Sequence, residues 1–137
     1  MLEKTKVISY IFRSEKRDEI LVFDHVGMPE AGTQVVGGTV EQKEDFKAAL
    51  VREIAEESGL NVSLNDLTKI GETIYFRQDY PEKNYRHYYS LMIPVLPDKW
   101  THTVISNGAD NGLIFLFYWL TISEAKTTLT GNFGELL

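Results

Sequence analysis

Three glutamates, Glu53, Glu56 and Glu57, stand three and four residues apart within the run EDFKAALVREIAEES, residues 44–58. On an α-helix this spacing puts all three carboxylates on one face. A solvated acidic face is the ordinary fate of helical Glu, but three local features oppose it here. Glu53 and Glu57 form a like-charge i, i+4 pair, which costs about 0.2–0.5 kcal/mol. Glu56 and Glu57 fall in the last turn, where the helix macrodipole is negative. At about 100° per residue, Glu53 lies about 20° from Phe46 and between Ala49 and Leu50 in azimuth, so the acids continue the apolar stripe instead of opposing it. Such a breach of local rules usually marks a functional site. A divalent cation would compensate it, because hard ions such as magnesium take carboxylate oxygens.

The elements that must position these acids follow from the same sequence. Residues 44–58 contain no Gly or Pro and many good helix formers. Glu44 and Asp45 suit the positive N-terminal end, and Gly59 suits the position just past the C-terminus, so a helix over 44–58 is expected. Strands are expected at 7–12, 20–23, 34–36, 68–77, 86–95 and 113–120, the last apolar throughout and expected to be buried on both faces. Residues 25–32 and 96–112 read as loops. Thr121 and Glu124 match a capping box, predicting a short helix that stops at Gly131. Strands mixed with two helices predict an α/β fold, a mixed β-sheet between helices.

The 137 residues fit one domain over 1–137, long enough to bury a core. There is no cysteine, which removes disulfides, thiolate nucleophiles and Cys-based zinc sites. The net charge of -6 argues against duplex nucleic acid as a partner, since that binding needs a basic surface. It is compatible with a phosphorylated small molecule if cations stand between the two sets of negative charge. No signal peptide and no membrane-length apolar run are seen, so a cytoplasmic protein without membrane partners is expected, and a homodimer is left open.

The segment 38–60, GTVEQKEDFKAALVREIAEESGL, resembles the 23-residue box of the Nudix hydrolases. That box reads Gly, five residues, Glu, seven residues, then Arg-Glu-apolar-x-Glu-Glu-x-Gly-apolar. Gly38, Glu44, Arg52, Glu53, Ile54, Glu56, Glu57, Gly59 and Leu60 fill every specified position. The resemblance implies a Nudix-type α/β/α sandwich and metal-dependent hydrolysis of a diphosphate linkage, with a nucleoside diphosphate derivative as substrate. It implies that Glu53, Glu56 and Glu57, with the Gly38 carbonyl, hold magnesium or manganese. Glu53, Glu57, Arg52 and Glu44 form the implied catalytic set, with Glu53 the first choice to orient or deprotonate water and Arg52 tied to Glu44. Cations of this kind neutralise the phosphates and lower the pKa of bound water. Two positions depart from the usual pattern: Val36 stands where many members have Pro, and Lys43 where many have Gly just before the first box Glu. A changed loop shape is expected there.

Substrate choice in such proteins lies outside the box. Arg77 and Arg86 are candidates for phosphate, and Tyr75, Phe76, Tyr80 and Tyr85 for stacking, although alternating aromatics on strands are ordinarily core or sheet surface. Asp110 precedes the strand at 113–120 and could reach a metal site, while Asn-Gly-Ala-Asp-Asn-Gly is also plain turn chemistry. His25, His87 and His102 have no metal-ligand spacing. The competing class is a Nudix-fold nucleotide-binding or regulatory module without turnover, which the intact Glu53, Glu56 and Glu57 disfavour.

Overall fold

The computed structural model of the chain describes residues 1–137 and contains seven strands and two α-helices. In chain order they are β1 (Leu2–Phe12), β2 (Glu19–His25), β3 (Gly37–Thr39), α1 (Phe46–Ser58), β4 (Thr68–Phe76), β5 (Glu82–Met92), β6 (Lys99–Thr103), β7 (Ile114–Thr121) and α2 (Ile122–Thr128). The sheet runs β4-β5-β1-β2-β7-β6, with β3 also paired to β1. β1 and β5 are parallel and every other pair is antiparallel, so the sheet is mixed.

The sandwich follows from the composition of the two central strands. β1 sends Val7 and Ile11 to one face and Ile8, Tyr10 and Phe12 to the other, and both sets are buried. β2 divides likewise, Leu21 and Phe23 against Ile20 and Val22. A strand apolar on both sides needs a layer on each side. α1 supplies one through Ala49, Leu50 and Ile54. α2 supplies the other through Ala125, helped by Leu129, Phe133 and Leu137 beyond it. No helix is long and apolar enough to cross a membrane.

The sheet has a split that matters for function. β1 and β2 pair only at Phe12 and Ile20. Between them runs the segment from residue 33 to 40, stitched first to β2 by two hydrogen bonds between Phe23 and Gln34, then to β1 through Ser9, Ile8, Val7 and Lys6. This seats Gly37 and Gly38 inside the sheet, beneath α1. The fit is close: a Cβ on Gly37 would meet the Val7 carbonyl oxygen at 2.5 Å.

α1 begins at Phe46, two residues later than the sequence suggests, because Asp45 is its cap: the Asp45 side chain accepts a hydrogen bond from the Ala48 N–H at 3.1 Å. It ends at Gly59, whose φ of 79° is left-handed and whose N–H closes on the Ala55 carbonyl. Leu50 and Ile54 are fully buried, worth about 1.5–3 kcal/mol each. In the loop before it, Lys43 takes a φ of 64°, a conformation that disfavours any side chain.

Four expected elements are corrected. The strand read at 34–36 is the lead-in to β3, which starts at Gly37. The strand read at 86–95 runs from Glu82 to Met92, since Pro94 cannot continue the ladder. The stretch 96–112 is not all loop: Lys99–Thr103 forms the edge strand β6, with Trp100 stacked on Phe117 at 5.0 Å. β7 is not buried on both faces, because Phe115 and Phe117 are buried on the α1 side while Ile114 is exposed and α2 covers only the far end of the other side. The capping box is formed as read, with Thr121 accepting from the Glu124 N–H and Glu124 from the Thr121 N–H, but the helix ends at Thr128, short of the expected stop at Gly131.

Candidate functional site

The box acids line one end of a cleft of about 960 Å³, which also takes residues from β1, β3, β4, β5 and the loop before β7. α1 brings Arg52, Glu53, Glu56 and Glu57 to it, and the split in the sheet brings Gly37, Gly38 and Thr39. The helix therefore buries its apolar stripe for most of its length and a carboxylate at its end: Glu57 is only 7% exposed.

Glu57 accepts one hydrogen bond, from the Gly37 N–H at 3.1 Å. Burial pushes its pKa well above the ordinary value, the charge of Glu53 adds to this, the Gly37 bond opposes it, and the charges of Asp110 and Glu56 add further. Burial likewise raises Glu53 to about 7, against the opposing pull of Arg52. Arg52 ties the acids together. Its Nε and Nη2 hold Glu44 at 2.8 and 2.9 Å, its Nη1 reaches Glu53 at 2.9 Å and Glu56 at 3.3 Å, and Nη2 also donates to the Thr39 carbonyl at 3.2 Å. The paired arm of Arg52 holds the Glu44 carboxyl below its ordinary range.

No three acidic or histidine side chains converge at ligating distance, because Arg52 lies across Glu53 and Glu56. The donor set nevertheless fits a hard divalent cation. It is all oxygen, its members repel one another, and two of them are held away from water where an added positive charge would be most favourable. Gly38 completes the cradle: a Cβ there would stand 2.2 Å from Glu53 Cδ, so glycine leaves the Glu53 carboxylate its present place beside β3.

The other wall is built by alternate residues of β1, β4 and β5. Lys4, Lys6, Arg77 and Arg86 all line it, with Tyr75, Glu82, Asn84 and Phe133. Arg86 is almost fully buried, its guanidinium 3.8 Å from the Tyr75 ring centre and 4.4 Å from that of Phe133, and it pairs with Glu135 at 3.1 Å. Arg77 holds Asp79 through two hydrogen bonds of 3.1 and 2.9 Å.

Several candidates stand elsewhere. Tyr85 points to the opposite face of the sheet, where its hydroxyl donates to Glu3, and it does not line the cleft. Phe76 and Tyr80 are half exposed outside it. His25, His87 and His102 are also outside. Asp110 does line the cleft. Its backbone carbonyl accepts from the Leu113 N–H, but the side chain that serves this turn is Asn111, which accepts from the Ser106 N–H at 3.0 Å. The Asp110 carboxylate is thus left to the cleft. Sequence reasoning missed Lys4, Lys6, Glu82 and Asn84. The available signal was polar alternation at the starts of β1 and β5, both read as beginning later than they do.

The NUDIX domain family model matches residues 3–136 of the chain. A diphosphoinositol polyphosphate phosphohydrolase 3-beta of Homo sapiens is 31% identical over 101 residues, covering 74% of this chain and 58% of that protein. The chain thus spans little more than half the length of the curated relatives it matches. Among solved structures, a MutT NUDIX hydrolase from Burkholderia pseudomallei superposes with a TM-score of 0.70 at 18% identity, covering 100% of this chain and 99% of that one. A MutT protein from Methanosarcina mazei Go1 gives 0.69 at 17%, covering 98% and 90%. At these identities the structural likeness is one of fold.

Proposed function

The chain belongs to the Nudix family, and from that premise we propose that it hydrolyses a diphosphate linkage in a small molecule, with magnesium or manganese held by Glu53, Glu56 and Glu57 and the Gly38 carbonyl. The observation that carries the reading is the buried, mutually repelling set of carboxylates at one end of a cleft whose other wall bears Lys6 and three cations paired with acids. A bound divalent ion would supply charge neutralisation of the phosphates and acidify a water.

The chain's own residues have separable parts in this reading. Arg52 fixes Glu44 against the helix and holds the loop to β3 through the Thr39 carbonyl. The Gly37 N–H holds the Glu57 carboxylate by one of its oxygens. Glu53 is the first choice to orient the attacking water or take its proton, because α1 carries it into the cleft beside Glu56 and Glu57. Lys6 binds anionic oxygens of the substrate, while Arg86, paired with Glu135, and the more exposed Arg77 at the rim add positive potential. Asp110 stands where a further acid could hold a metal or a water.

The substrate we favour is a nucleoside diphosphate derivative. The likeness to a human diphosphoinositol polyphosphate phosphohydrolase makes diphosphoinositol polyphosphates the second class to try. The test is product release with magnesium across both classes, repeated in excess EDTA. Release of phosphomonoester products that stops in EDTA supports the reading. Undiminished turnover in EDTA, or none of any diphosphate with either metal, rejects it.

A further inference from the structure

The wall opposite the box acids contains a buried polar group with no assigned role. Asn84 lies on β5, flanked by Lys4 on β1 and Tyr75 on β4. It is 4% exposed, yet it lines the cleft. Its Nδ2 donates to Glu82 Oε2 at 2.9 Å. Glu82 is also buried and is paired with Lys4 at 3.3 Å and more distantly with Arg77 at 3.8 Å. Burial pushes the Glu82 pKa up, but hydrogen bonds from Asn84 and Lys4 and the charges of Lys4 and Lys6 outweigh it and leave the carboxyl below its ordinary value.

An ionised carboxylate can only accept, so the Asn84 amide must turn its NH₂ toward Glu82. Oδ1 therefore points away from Glu82. No protein donor bonds it, and it is not among the sealed side-chain atoms that lack a partner, so it opens on the cleft. A carboxamide fixed in this way keeps two groups without a protein partner, the Oδ1 acceptor and the second Nδ2 hydrogen.

The charges around it are largely spent. Lys4 and Arg77 are committed to Glu82 and Asp79, and Arg86 to Glu135. Lys6 alone meets a neutral partner, its Nζ donating to Thr39 Oγ1 at 2.8 Å. A ring carrying many phosphates would bring acceptors against the Asn84 acceptor and against Glu82 and Asp79, with one uncommitted cation to meet them.

We infer that Asn84 is the specificity-determining residue of this cleft, its Oδ1 accepting a hydrogen bond from an N–H or O–H on the group that carries the diphosphate, in a wall too nearly neutral to hold a polyphosphorylated ring. Glu82 is the positioning residue that fixes the amide. The inference rests on the diphosphate-hydrolase reading and adds to it what the cleft recognises beyond the diphosphate.

The experiment uses the full chain, magnesium, nucleoside diphosphate derivatives and analogues of each in which one base or ribose donor is replaced by hydrogen, with a diphosphoinositol polyphosphate beside them. The wild type should lose at least about tenfold in kcat/KM on one donor-deleted analogue, and should use the polyphosphorylated ring worse than its best nucleoside substrate. Asn84→Leu should raise KM for the parent by about tenfold or more, leave kcat within a few-fold, and abolish discrimination against that analogue. Glu82→Gln can donate to Oδ1 and turn the acceptor inward, so it should lose the same discrimination with Asn84 intact; it serves if Asn84→Leu does not fold. Calorimetric binding of the same ligands should rank them alike. Retained discrimination in the folded variants overturns the inference, as does a wild type that prefers the polyphosphorylated ring. Absence of turnover with selective binding rejects hydrolysis but sustains Asn84, and absence of both overturns both.

Discussion

Two side chains and one missing side chain decide how the acidic end works. Gly38 has no room for a methyl group, since a Cβ would stand 2.2 Å from the Glu53 carboxyl carbon. Gly38→Ala must turn the Glu53 carboxylate away, a small movement of a flexible side-chain end, or bend β3, which overpacking puts at about 1–3 kcal/mol. Turnover should fall at least about tenfold, and the melting temperature should drop; an unchanged rate would remove Glu53 from the site. The sequence favours the turn for Asp110; in the structure its backbone carbonyl closes that turn on the Leu113 N–H, Asn111 supplies the side-chain bond, and Asp110 also lines the cleft. Asp110→Asn should therefore lower kcat more than it raises KM, and should raise the magnesium needed for half-maximal rate. A normal kcat and magnesium response with a lower melting temperature would return it to the turn. Glu53, Glu56 and Glu57 were legible because helix spacing put Glu53 beside the apolar stripe, while Gly38, Glu44 and Arg52 were found through the resemblance to the Nudix box. The cations Lys4 and Lys6 were not, because they lie on the first residues of a strand whose apolar signal begins at Val7.

The elements were read best where chemistry is local. The α2 capping box and the Gly59 stop are decided by a few neighbouring residues and hold as read. β6 was missed because Lys99–Thr103 is short, polar at alternate positions and made a strand by pairing with β7, a long-range contact with a weak sequence signal. The β1–β2 split was equally hidden: nothing in either strand announces that Gln34 to Thr39 will run between them. Lys43 is the place where a departure from the family pattern acquires a physical cost. Its φ of 64° explains why glycine suits that position, and Lys43→Gly should relieve about 0.5–1 kcal/mol after the entropy of the added glycine is charged against the gain. A rise of about 2–4 °C in melting temperature with unchanged turnover is expected. A fall would mean that the left-handed turn is held by contacts of the lysine side chain.

Across the whole molecule, stability and activity pull on the same cluster. The fold seals Glu57 and half-seals Glu53 behind α1, and burial disfavours the charge on both. Removing one of these charges should relieve the protein in chelator while damaging the reaction, a combination that a merely structural carboxylate would not give. Magnesium should accordingly raise the melting temperature of the wild type and do so much less for the variant. The direct test is the magnesium dependence of turnover and of melting for wild type and Glu57→Gln, measured side by side on the best diphosphate substrate. The account predicts that Glu57→Gln loses at least about a hundredfold in turnover, about 2.7 kcal/mol of transition-state stabilisation, while melting in EDTA no lower than wild type. A variant with wild-type turnover, or one that melts far below wild type in EDTA, would contradict it.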